Sequence, residues 1–166
     1  MTTIDDFTVE EIQQIQHAPV YVIAGAVASE TSGAFGSMRE MIDGVEGFAR
    51  SMAQANDSLL TGIFKAIDKT RPDDFDIDEV SREEMRDVTM ENGIASAVAA
   101  HQLLASKAEA ADADAYAQSL LRAASAAVRA AKTGGFLGFG GETITEREAA
   151  YVQRLASALG YENVGG

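Results

Sequence analysis

Residues 81–108 read SREEMRDVTMENGIASAVAAHQLLASKA, and this stretch decides the fold. It opens with Ser81 and Glu84, a capping box in which a hydroxyl covers the first free amides and a carboxylate three residues on reaches back. Met85, Val88, Ala95, Ala99 and Leu103 then recur at helical spacing, which predicts a long helix over 82–108 with these residues inward. Three more capping boxes lie at Thr8/Glu11, Ser37/Glu40 and Thr145/Glu148, with Phe7 placed against Ile12 and Val80 against Met85 as hydrophobic staples. They set further helices at 9–27, 38–55 and 146–159. In the first of these Ile12, Ile15, Pro19, Ile23 and Val27 form one stripe, and Pro19, lacking an amide, predicts a kink or break. Periodicity adds helices over 58–68 (Leu59, Leu60, Ile63, Phe64, Ile67) and 114–132 (Tyr116, Leu120, Ala124, Ala127, Val128, Ala131), the latter ending before Gly134. The last helix ends at Gly160. No segment alternates as a strand would. The expected fold is all-α, one domain over 1–166, a compact bundle of six or seven helices.

The chain has 166 residues and a net charge of −13, and contains no cysteine. Disulfides, thiolate metal sites and cysteine nucleophiles are thereby excluded. Residues 1–100 carry 19 acidic and 7 basic side chains, residues 101–166 carry 7 and 6. Such a surface argues against binding the phosphate backbone of a nucleic acid, and suits either a solvated face or a basic partner or cation. The acidic start of the chain does not resemble a secretory signal, and the apolar run 18–28 has about half the residues a bilayer span needs. The expected location is cytoplasmic, with no membrane association.

Two segments look alike. Val22–Ala28, the loop Ser32–Gly36 with Phe35, and the helix capped by Ser37 and Glu40 parallel Ala124–Ala131, the loop Gly134–Gly141 with Phe136, Leu137 and Phe139, and the helix capped by Thr145 and Glu148. Two helical hairpins related by a pseudo-twofold would follow. The stretch Gly140-Gly-Glu-Thr-Ile-Thr-Glu-Arg-Glu-Ala-Ala-Tyr-Val-Gln-Arg-Leu-Ala-Ser-Ala-Leu-Gly160 resembles the C-terminal hairpin of the tellurite-resistance TerB-like family. That resemblance implies an all-helical bundle, a stress-related role and acidic residues suggested to bind a metal. It departs in one respect: Gly140 or Gly141 stands where the family has an Asp, so a metal role that needs this Asp does not carry over. Glu148 matches the family's Glu and is equally a capping residue.

Recognisable chemistries are few. Asp74, Asp76 and Asp78 are spaced like the opening of a calcium loop, but Glu79 stands where glycine is required and Met85 where a bidentate Glu is required. Neither His17 nor His101 is preceded at three residues by Glu, as a di-iron bundle demands, and two distant histidines are a poor start for zinc. The glycines at 134–141 lack a phosphate loop's Gly-Lys-Ser/Thr ending, and Glu142, Glu146 and Glu148 would repel an anion. No nucleophile elbow is present. Two functional classes remain. One is a non-catalytic binding or interaction module with no resident cofactor, using the acidic half or the loop residues Phe35, Phe136, Leu137 and Phe139. Its partner would be another protein or, through the small-residue helices, a second copy. The other is a divalent-cation protein in which Glu30, Glu40, Glu142 and Glu148 converge from the two hairpins. A helical enzyme ranks below both.

Overall fold

The computed structural model describes residues 2–29, 48, 58–65, 82–133 and 145–161. Within them a short 3-10 turn, Ile4–Asp6, precedes five α-helices: α1 Val9–Ala28, α2 Ser58–Lys65, α3 Arg82–Lys107, α4 Ala110–Thr133 and α5 Glu146–Ala158. Every regular element among the described residues is helical. The helix expected over 38–55 (apart from residue 48, which is helical), the capping boxes at Ser37 and Ser81, the acidic stretch 69–80 and both Gly-Phe loops lie outside them, so the six-or-seven helix count and the pseudo-twofold pairing do too. None of the described helices is long and apolar enough to cross a membrane.

Helix starts follow local chemistry. The Thr8 hydroxyl accepts from the Glu11 amide, and the Glu11 carboxylate accepts from the Thr8 amide at 2.8 Å. Thr145 and Glu148 repeat this at α5. A third capping box, Thr3 with Asp6, opens the 3-10 turn; sequence reading missed it because Asp stands where Glu or Gln is usual. The helix α5 stops before Gly160, whose φ of +87° is the left-handed conformation that lets a chain leave a helix. The start of α4, expected at Asp114, falls at Ala110. Only Ala108 and Glu109 link it to α3, and the Glu109 carbonyl accepts from Asp112 and Ala113 to begin the new helix.

The hub is α1, which touches every other described helix and packs most extensively on α3. Ile15, Ala18, Pro19, Val22, Ile23, Gly25, Ala26 and Ala28 are all buried. Such a helix is enclosed on most sides rather than amphipathic. Glu11 meets Lys107 near one end and Tyr21 meets Gly93 near the other, so α1 and α3 are antiparallel. Asp87 pairs with Arg147 and Glu91 with Arg154, so α5 runs in the same sense as α3. The end of α1 and the starts of α3 and α5 therefore share one end of the bundle.

No break occurs at Pro19. The helix runs through it, which leaves the Ile15 carbonyl without the amide that a residue at position 19 would supply. The Tyr116 hydroxyl on α4 donates to that carbonyl at 2.7 Å in the buried core. A side chain thus replaces the missing backbone donor, so the carbonyl is not left buried and unpaired. Seven residues on, the Val22 carbonyl accepts a bond from the Tyr151 hydroxyl of α5 at 2.9 Å. The eight-residue α2 is too short to persist alone. It is held by burial of Leu59, Leu60, Ile63 and Phe64, each contributing about 1.5–3 kcal/mol, and by Gln16, whose amide donates to the Ile63 carbonyl at 2.6 Å. Phe64 in turn meets Phe48 edge-on and lies alongside Tyr116.

The largest correction concerns α3. Val88, Ala95 and Ala99, expected inward, are exposed, and Leu103 is only half-buried. The inward stripe is Met90, Gly93, Ala97, Ala100 and Leu104. Gly93 explains the register. A Cβ there would lie 2.8 Å from the Tyr21 carbonyl oxygen and collide with the Tyr151 hydroxyl. Only glycine lets α1 and α3 approach this closely with the Tyr151 ring between them.

Candidate functional site

Of the eight residues singled out from sequence, Glu148 alone is described; Glu30, Glu40, Glu142, Phe35, Phe136, Leu137 and Phe139 lie outside the described residues. Glu148 is only 1 % exposed. One of its carboxylate oxygens accepts from the Thr145 amide at 2.6 Å and from the Thr145 hydroxyl at 2.8 Å. A buried carboxylate is stable only when so engaged, and this one also favours the positive start of α5. It sits at the bundle end where α1 finishes and α3 and α5 begin. Neighbouring Arg147 turns outward to Asp87. Among the described residues no three His, Asp or Glu side chains gather as a metal site, so the four-glutamate arrangement is neither assembled nor dismantled by them.

His17 and His101 are half-buried residues of α1 and α3. The core hydroxyls of Tyr116 and Tyr151 serve the α1 backbone, and burial drives both phenols well above their ordinary pKa, so both remain proton donors. Near the other end, Tyr161 bonds the Asp114 carboxylate; desolvation first, then that carboxylate, pushes its pKa up to about 12. All three tyrosines tie helices together.

What sequence reading missed is the outward face of α3. Val88, Asn92, Ala95, Ala99, Gln102 and Ser106 follow one another at steps of three or four, and all are exposed, Val88 by 54 %. The stripe carries no charge, although 23 % of the chain is charged. The acids beside it, Asp87 and Glu91, are paired with Arg147 and Arg154. A signal for it was present in the sequence. Positions 90, 93, 97, 100 and 104 form a second stripe of the same period, and the glycine within it marks the side of closest helix approach. Set against protein-family models, curated proteins and solved structures, the chain matches none of them.

Proposed function

We propose that this chain is a non-catalytic interaction module whose contact surface is the outward face of α3 and whose partner is a second copy of itself. The uncharged stripe from Val88 to Ser106 carries the reading. Interface centres are depleted of charge, and small residues let helices approach closely. A twofold pairing would set the Ala95–Ala99 region against itself. The neighbouring ion pairs neutralise the acids that would otherwise oppose self-contact in a chain of net charge −13. The stripe is roughly 27 Å long and one helix wide, well under the ~800 Å² per partner of a standard interface. The dimer is therefore weak, with a Kd expected on the order of tens of micromolar. The TerB-like resemblance at 140–160 adds a stress-related setting to the proposal, and within that stretch residues 145–160, the capped helix α5 and its glycine stop, are described.

The test is the double substitution Ala95→Glu with Ala99→Glu. Both sites are exposed, so the thermal midpoint should move by no more than about 2 °C. Short-arm cross-linking should trap dimers of the unsubstituted chain and none of the variant. Equal trapping, or none in either, would remove this face as the contact.

A second reading, the divalent-cation protein using Glu30, Glu40, Glu142 and Glu148, is favoured by one observation: Glu148 brings a buried carboxylate to the end where α1, α3 and α5 meet. It predicts that chelator-stripped protein gains several degrees in thermal midpoint with one of Mg²⁺, Ca²⁺, Mn²⁺ or Zn²⁺. That gain should vanish in Glu148→Gln. The increment is the readout, because the substitution also weakens the α5 cap. A flat panel ends the metal reading.

A further inference from the structure

We propose that residues 2–7 form a strap that opens and closes while the helical bundle stays folded, and that Lys107 is its latch. The strap comprises the 3-10 turn and its flanks. Its internal bonds are local: the Asp6 amide donates to the Thr3 carbonyl, the Phe7 amide to the Ile4 carbonyl, and the Thr3 amide to the Asp6 carboxylate. Its polar ties to the helices, among the described residues, converge on Lys107. The Thr2 hydroxyl donates to the Lys107 carbonyl at 2.9 Å, the Lys107 ammonium donates to the Asp6 carbonyl at 3.2 Å, and the same ammonium lies 5.4 Å from the centre of the Phe7 ring.

The ammonium is held in place by the Glu11 carboxylate at 2.6 Å. That hydrogen bond, with the Thr8 amide second, keeps the Glu11 carboxyl below its ordinary pKa. Lys107 is the last residue of α3, where a cation is favoured by the helix dipole. The latch therefore belongs to the bundle and stays when the strap leaves.

Apolar contact alone does not fix the strap. Phe7 is buried and Ile4 packs over Gly62 of α2, but ordering six residues of backbone costs several times what one buried ring returns. The rest must come from Ile4, the internal bonds and the contacts to Lys107, so the strap is held by few and separable ties. Opening uncovers the Gly62 side of α2 and the seat of Phe7. Segments so held open below the free energy of global unfolding.

The experiment is amide hydrogen exchange on the full chain, read at Asp6 and Phe7 in the strap and at Ala18, Val22, Ala97 and Ala100 in the core. In Lys107→Gln the two strap amides should exchange at least about tenfold faster, with the core amides unchanged and Lys107→Arg close to the parent. If Lys107→Gln does not fold, the parent chain in about 1 M salt, which screens the Glu11–Lys107 pair, should accelerate the strap amides alone. Strap amides that exchange only in step with the core, ignore Lys107→Gln, or respond equally to Gln and Arg overturn the proposal.

Discussion

Gly93→Ala lowers stability by about 2–3 kcal/mol, a fall of roughly 5–10 °C in thermal midpoint. In an ordinary helix the change would stabilise by up to ~1 kcal/mol, because alanine is the better helix former. Here the new methyl meets two neighbours that respond differently. One is the Tyr151 hydroxyl; the other is the Tyr21 carbonyl oxygen, 2.8 Å away and fixed in the α1 backbone. At Gly25→Ala the three atoms nearest the new carbon all belong to Tyr151, two of them ring atoms at 2.6 and 2.9 Å. Tyr151→Ala supplies the control. By itself it removes a fully buried aromatic and should cost about 3–5 kcal/mol. On that background Gly25→Ala should become neutral or stabilising, whereas Gly93→Ala should still destabilise through Tyr21. Urea unfolding of these variants measures both couplings. Equal behaviour of the two glycines would mean that Tyr151 alone, and not the approach of α1 to α3, requires them.

Tyr116→Phe should cost about 1–3 kcal/mol, because it leaves the Ile15 carbonyl buried without a donor. The decisive comparison is with Pro19→Ala, which restores an amide to α1 four residues beyond that carbonyl. If the tyrosine stands in for this amide, Tyr116→Phe on the Pro19→Ala background should cost less than about 1 kcal/mol. An unchanged cost would show that the hydroxyl contributes independently of the proline. The absolute effect of Pro19→Ala is less telling, since relief of a helix-interior proline opposes loss of a fully buried ring.

These two predictions mark where sequence reading stopped. Capping boxes and period located α1, α3 and α5 to within a residue or so, because a hydroxyl, a carboxylate and an apolar stripe act over one or two turns. Pro19 was recognised as a lesion in α1, but its repair comes from Tyr116, roughly a hundred positions along the chain, and no local signal names the donor. In α3 two small-residue stripes of equal period compete, so periodicity alone did not choose between Val88–Ala95–Ala99 and Met90–Ala97–Leu104. Burial followed Gly93, where two backbones and a phenol ring share one space. The candidate site was legible in the same degree. Glu148 was correctly placed at a helix start by its spacing from Thr145, yet its near-complete burial depends on neighbours far away in sequence. The outward face of α3 became visible only once its inward face was fixed.

If this outward face brings two copies together, sedimentation equilibrium of the unsubstituted chain will show it. Between about 10 and 500 µM the mean mass should climb above the 17.5 kDa of a single chain and approach twice that value at the top of the range. A mean mass that stays at the single-chain value throughout would contradict the proposal.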